Sequence, residues 1–76
     1  MKPQEKLQPQ FDRARHGGLY DRGGADSFYR RGFNPHWYPE DTYNGERIEN
    51  LTEAEIEEYR QGYNDNEKAN AFKDWG

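Results

Sequence analysis

The chain has 76 residues, a formal net charge of -4 and no cysteine. This length predicts one small domain with tails rather than several domains, because two cores would need far more surface to bury. Without cysteine the chain can form neither a disulfide nor a thiolate metal site.

The apolar residues of the chain are mostly aromatic. Valine is absent, and Leu, Ile, Val and Phe together fall below the share that is typical of folded domains. Aromatic residues make up 16% of the chain, and each buried ring removes on the order of 150 to 250 Å² from water. The composition therefore predicts a marginal aromatic core, which a partner or a second copy of the chain could complete.

Charge is distributed unevenly between the two halves of the chain. Residues 1–38 contain seven Lys or Arg and four Asp or Glu, whereas residues 39–76 contain four Lys or Arg and eleven Asp or Glu. We expect the halves to neutralise each other when they pack, although the same asymmetry could steer a charged partner.

The first fifteen residues are polar and contain two prolines, with Leu7 and Phe11 as the large apolar side chains. They are predicted to form a flexible arm, followed by a small domain over residues 16–76. This stretch has no apolar run of seven or more residues. We therefore expect neither a signal peptide nor a membrane span, and a cytoplasmic protein without membrane contact.

Glycine pairs at 17–18 and 23–24 predict turns around Leu19 and Tyr20. Asp26 follows them, and its carboxylate can cap a short helix that begins in SFYRRG. Gly32 lies where a helix of that length would end. A short helix between Asp26 and Gly32 is the prediction.

A two-stranded ribbon is predicted next. The prolines of NPHWYPE force an extended path, and the Asn44–Gly45 pair favours a type I′ hairpin turn. Residues 37–43 and 46–48 would form the two strands.

The strongest local pattern is LTEAEIEEYRQGY, which begins at Leu51. Thr52 and Glu55 have the spacing of a capping box, and Leu51 precedes the cap as a hydrophobic staple does. A helix is therefore predicted to begin at Thr52.

Along this helix one apolar stripe faces a largely acidic surface. Ile56, Tyr59 and Tyr63 recur at helical spacing, whereas the opposite face carries Glu53, Glu57, Glu58 and Arg60. Because an isolated ribbon and an uncovered stripe are both unstable, we expect them to pack together. The predicted fold class is α+β: a short helix and a small ribbon against a longer C-terminal helix.

Residues with catalytic or metal-binding chemistry are few. Ser27 is the only serine, and it lies in the first turn of the predicted short helix, without an adjacent base. The two histidines lack metal-ligand spacing, and the glycines lack the Lys-Ser or Lys-Thr of a phosphate loop. We expect no enzymatic activity, no metal and no cofactor.

The stretch GGADSFYRRGFNPHWYP, residues 23–39, combines arginines with many rings. The predicted core residues in it are Phe28, Phe33, Trp37 and Tyr38. The chain has more aromatic side chains than the core needs, so we expect the remaining ones at the surface. There they would lie with the charged residues at the rim of the core and with the acidic face of the helix. The candidate partner-binding residues are Tyr29, Arg30, Arg31 and His36 at the rim, Tyr43 and Trp75 as exposed rings, and Glu53, Glu57 and Glu58.

Two binding functions stay open. The first is binding of a host protein through the acidic helix face and exposed rings, since Tyr, Trp and Arg dominate interface energies. The alternative is binding of RNA or a ribosome through the arginines and rings of residues 20–38, which can hold phosphates and stack bases. The acidic second half would repel a nucleic acid backbone. A homo-oligomer is compatible with either function.

Over about residues 16–76, the patterns GGADSFYRRGFNPHWYP and LTEAEIEEYRQGYNDNE resemble short uncharacterised bacterial and bacteriophage proteins. This resemblance implies a prokaryotic or phage origin and, by association, a role in redirecting a host protein. The shorter stretch EYRQGYNDNE resembles a helix of ribosome modulation factor, and that resemblance implies ribosomal RNA as a partner. That family is basic, whereas this chain is acidic.

Overall fold

The computed structural model describes residues 9–39 and 46–73. A 3-10 turn at Pro9–Phe11 is followed by helix α1 at Leu19–Phe28 and helix α2 at Glu53–Ala69. The two helices pack against each other and form a small compact domain. No helix within the described residues is long and apolar enough to cross a membrane.

Helix α2 begins where the sequence predicts. The Thr52 hydroxyl accepts a hydrogen bond from the Glu55 amide at 3.2 Å, and the Glu55 carboxylate accepts one from the Thr52 amide at 2.7 Å. This capping box satisfies two backbone donors that a helix N-terminus leaves without intrahelical partners. The helix ends at Asn70, whose left-handed backbone (φ 57°) terminates it.

Helix α1 lies earlier in the chain than predicted. It follows Gly18, and Asp26 lies in its last turn instead of capping its first. The prediction was wrong because the glycines at 23 and 24 are inside the helix rather than in turns. Gly23 has a packing reason for being there, since a Cβ at this position would lie 2.1 Å from the Tyr59 carbonyl oxygen.

The same close approach occurs on the other helix. A Cβ at Gly62 would lie 2.1 Å from the carbonyl oxygen of Tyr20. At this crossing the two helix backbones are therefore in direct contact, with no room for a side chain. Nearer the end of α1, the Ser27 hydroxyl donates to the Glu67 carboxylate at 2.7 Å and accepts from the side-chain amide of Asn66 at 2.9 Å.

The predicted ribbon is not supported. Trp37 and Ile48 form one isolated antiparallel bridge, with N–O distances of 3.1 and 2.9 Å. No strand extends this bridge within residues 9–39 and 46–73, and the turn expected at Asn44–Gly45 lies outside them. Pro35 and Pro39 flank the bridge and have no amide hydrogen for a ladder, which limits pairing on this side.

Leu19, Tyr38 and Tyr59 are the buried apolar residues of the described chain. Within the predicted stripe of α2, Tyr59 is fully buried, whereas Ile56 and Tyr63 are half-buried. Four polar or charged residues are buried with them: Arg22, Asp26, Ser27 and His36.

The assignment of rings to the core was only partly correct. Tyr38 is buried, but Phe33 is 45% exposed, and Phe28 and Trp37 are half-buried. His36, which we expected at the rim, is only 2% exposed. The polar side chains that are buried are accommodated because they hydrogen-bond to one another and to Tyr59.

Residues 9–15, which we expected in a flexible arm, contact the helical domain. The Arg13 guanidinium donates to both carboxylate oxygens of Glu58, at 2.6 and 3.1 Å. The side-chain amide of Gln10 donates to the Glu55 carboxylate at 3.0 Å. These contacts join the basic first half of the chain to the acidic second half. Residues 1–8 lie outside the described part of the chain.

Candidate functional site

A buried polar cluster lies between the end of α1, the following loop and α2. The Tyr59 hydroxyl donates to the Asp26 carboxylate and accepts from the Asn34 amide at 3.0 Å. Burial, reinforced by the bond to Asp26, raises the pKa of the Tyr59 hydroxyl. The phenol therefore stays protonated and holds Asp26 in place.

His36 lies beside this pair and is held at both ring nitrogens. Its Nδ1 is 2.7 Å from the Asn34 carbonyl oxygen, which can only accept, so Nδ1 carries the proton. Its Nε2 accepts from Arg22 Nε at 3.3 Å. Burial lowers the pKa of the imidazole, which is consistent with this neutral form.

A pocket of about 290 Å³ opens over the cluster. Arg22 and Asp26 of α1 contribute to its wall, and the other lining residues follow α1 in the chain: Arg31, Asn34, His36, Tyr38 and Arg47. The Arg22 guanidinium is 5.7 Å from the centroid of the Tyr38 ring. Three of the lining side chains are arginines and one is a carboxylate.

Besides Arg13, which is 4.4 Å from the Tyr20 ring centroid, three exposed arginines lie over aromatic rings. Arg31 is 4.7 Å from the Tyr29 ring centroid, and Arg30 is 4.7 Å from that of Phe72. In the third pair, Arg60 of α2 is 5.5 Å from the Phe33 ring centroid. We call the six residues of these three pairs the Arg–ring surface. Tyr29 and Phe33 are also the exposed large apolar side chains of the described residues.

Arg30 has a left-handed backbone with φ 58°. The Arg31 amide donates to Asp26 O at 2.8 Å and the Arg30 amide to Ser27 O at 3.0 Å, which is the hydrogen-bond pattern of a Schellman motif. Glycine is the usual residue at this position, because a side chain there is strained. The strain is compatible with a functional reason for an arginine here.

The acidic residues predicted for partner binding have several partners within the chain. Glu58 is 15% exposed and paired with Arg13. Hydrogen bonds from Gln61 and Arg60 lower the pKa of the Glu57 carboxyl. Glu53 is exposed and, together with Glu57, lines a groove. The predicted acidic face is therefore partly neutralised by the chain itself.

The structure separates the predicted site residues into groups. Tyr29, Arg30 and Arg31 are exposed, whereas His36 is buried in the polar cluster. Tyr43 and Trp75 lie outside the described residues.

Sequence analysis missed Arg22, Asp26, Arg47 and Tyr59 as members of the cluster and its pocket. A helical spacing at 19, 22, 23 and 26 was present, but two of these positions are charged and one is glycine. A search for apolar periodicity does not count such residues.

Comparison with known proteins adds no relative. No family model matches the chain, and no curated protein or solved structure matches it significantly.

Proposed function

We propose that this protein is a small non-enzymatic RNA-binding protein that contacts its partner through the Arg–ring surface. The observation that carries the proposal is the arrangement of three exposed guanidinium groups over aromatic rings, with Tyr29 and Phe33 themselves exposed. Single-stranded RNA is bound by this combination, because rings stack on bases and arginines contact phosphates.

The local charge favours this partner although the whole chain is acidic. Residues 27–39 contain two arginines and no Asp or Glu. Glu58, by contrast, is bound by Arg13, and Asp65 accepts a hydrogen bond from Tyr20. Pairing with Arg13 cancels the charge of Glu58 locally, so this carboxylate repels a nucleic acid less than an unpaired one would, whereas Asp65 keeps its charge beside the neutral phenol.

The short resemblance to ribosome modulation factor supports the same class of partner. A cytoplasmic location, where RNA is abundant, belongs to this proposal.

Binding of a labelled single-stranded oligoribonucleotide, followed by fluorescence anisotropy at several salt concentrations, tests the proposal. Arg30→Ala and Arg31→Ala should each weaken binding and reduce the slope of log affinity against log salt by about 0.7 per lost phosphate contact. Tyr29→Ala should weaken binding and leave the slope unchanged, because stacking releases no counterion.

The matched control is Lys68→Ala, which removes one positive charge from α2 outside the Arg–ring surface. Its affinity should stay near that of the unchanged protein. If Lys68→Ala and Arg30→Ala weaken binding equally, the RNA responds only to net charge, and the Arg–ring surface is not its site.

Binding of a host protein is the second candidate function. A groove of about 530 Å³ on α2 is lined by two apolar side chains and three charged ones: Ala54, Ile56, Glu53, Glu57 and Arg60. Apolar side chains flanked by carboxylates suit a basic partner helix. This function would be favoured over RNA binding if the protein captured one partner protein in a stoichiometric amount after nuclease treatment, and if the Glu53→Lys variant no longer captured it.

A further inference from the structure

The pocket beside His36 is the second feature that points to a ligand. Its volume of about 290 Å³ is near the lower limit of small-molecule sites, which begin at roughly 300 Å³. Its lining side chains are almost all polar, and they come from α1, the loop after it and residue 47. A small polar group would fit this space better than an apolar one.

The charges of the side chains that line the pocket indicate which charge the bound group would carry. Arg22, Arg31 and Arg47 line the pocket, and the lining carboxylate is Asp26. Asp26 already accepts hydrogen bonds from Tyr59 and from Arg31, the latter at 3.3 Å. Around the pocket, Glu49 pairs with Arg47, and Asp21 approaches Arg22 at 3.9 Å. Within the lining itself, positive charge exceeds negative.

Arg22 is oriented before any ligand arrives. Its side chain is 6% exposed, its Nε donates to neutral His36, and its guanidinium lies over Tyr38. A guanidinium with a fixed orientation loses less conformational entropy when an anion binds. His36 therefore acts as a positioning residue for Arg22.

We propose that this pocket binds a phosphate group. Phosphate offers several acceptor oxygens in a tetrahedral arrangement, which suits arginines that approach from three parts of the chain, whereas a carboxylate offers two oxygens in one plane. The group can come from free phosphate or from the 5′ end of an RNA. The pocket and its charge are observed independently of the RNA proposal.

Titration with inorganic phosphate, followed by the NMR signals of His36 and Tyr38, is the direct test. We expect saturable shifts. Arg47→Gln should weaken binding about tenfold, which corresponds to the loss of one charge-assisted hydrogen bond. Arg47 is suitable because its side chain is 35% exposed and its hydrogen bonds go to Glu49 and Tyr38 rather than to Asp26, His36 or Tyr59. Lys68→Gln, with the same charge loss outside the pocket, should bind as the unchanged protein does.

Failure to saturate at millimolar phosphate, or equal weakening by Lys68→Gln and Arg47→Gln, would overturn the proposal. Once phosphate binding is found, the affinities of RNAs with and without a 5′-phosphate show whether the group comes from free phosphate or from the 5′ end of an RNA. Tighter binding of the phosphorylated RNA places its end in the pocket, and equal binding assigns the pocket to free phosphate.

The Arg30→Ala variant separates this proposal from RNA binding by the Arg–ring surface. It should weaken RNA binding and leave the inorganic phosphate titration unchanged, because neither Arg30 nor Phe72, the ring beneath it, lines the pocket.

Discussion

His36 couples the buried cluster to pH. Its Nε2 can accept from Arg22 only while it carries no proton, and Asn34 already holds the proton of Nδ1. Protonation at Nε2 would place two donors face to face and bring a second positive charge beside Arg22. Asp26 at 3.7 Å offsets part of this cost.

We predict that the protein becomes less stable as the pH falls below the ordinary imidazole pKa of about 6.5. The pKa of His36 is lower in the folded protein than this value, so the unfolded chain binds more protons in that interval and unfolding is favoured. Urea unfolding midpoints at about pH 7.5 and about pH 5.5 would measure the loss across the histidine range.

The controls for this prediction use the two histidines of the chain. His36→Gln should remove most of the difference between the two midpoints. His16→Gln should retain it, because His16 is exposed. If His36→Gln keeps the full difference, carboxyl groups cause it instead.

Arg30 is the residue at which stability and binding are predicted to oppose each other. A non-glycine residue in the left-handed region destabilises the folded state by about 1 to 2 kcal/mol. Glycine avoids this strain but loses more backbone entropy on folding, which offsets part of the gain. Arg30→Gly should therefore raise the free energy of unfolding by about 0.5 to 1 kcal/mol and weaken RNA binding. Thermal unfolding and anisotropy on the same samples would test both.

Arg30→Ala provides the comparison, since it removes the guanidinium and keeps a Cβ at φ 58°. It should lose RNA affinity without the gain in stability. A glycine variant no more stable than the alanine variant would show that the left-handed backbone is not strained.

At the scale of the element, the helix crossing depends on Gly23 and Gly62. We predict that Gly23→Ala lowers the free energy of unfolding by about 3 kcal/mol or more, since its Cβ would collide with backbone rather than with a side chain that can move. Chemical denaturation followed by circular dichroism would measure this loss.

Gly24 is the matched control within the same helix. A Cβ there would lie 3.7 Å from the Gly62 carbonyl oxygen, an ordinary contact distance. Gly24→Ala should stabilise the protein by up to about 1 kcal/mol through helix propensity. Similar losses in the two alanine variants would contradict the direct backbone contact at Gly23.

The two helices differ in how far the sequence predicts them. The boundary of α2 follows from Thr52 and Glu55, because a capping box is a local signal that needs no tertiary contact. The position of α1 does not follow, because Gly23 and Gly24 resemble turn residues until the partner helix is known. The reason for Gly23 lies on α2, far along the chain, and no local pattern contains it.

At the scale of the whole molecule, the composition predicted an aromatic core. Two of the three buried apolar residues of the described chain are rings, but most of the rings that we assigned to the core are not buried. The described core combines Leu19, Tyr38 and Tyr59 with charged and polar groups. Apolar periodicity identified Tyr59 because its stripe is regular. The ring content of residues 23–39 placed Phe33 in the core and His36 at its rim, because hydropathy does not reveal that a histidine will find partners at both nitrogens.

The expected neutralisation between the two halves has a counterpart in the Arg13–Glu58 pair. An exposed pair of this kind contributes about 0 to 1 kcal/mol. It therefore positions residues 9–15 on the domain more than it stabilises the domain. The candidate site combines residues from both halves, which explains why no short stretch of sequence contained it.

The backbone contact at Gly23 also bears on the order in which the helices form. Helix α2 carries its own start and stop signals, whereas α1 has no side-chain cap at its N-terminus and contains two glycines. A short helix of that composition is not stable alone in water, so α1 needs the surface of α2. During synthesis, however, α1 leaves the ribosome first. Of these two helices, α1 is therefore made first but is stabilised only once α2 is present, and their packing cannot be completed until residue 62 has emerged.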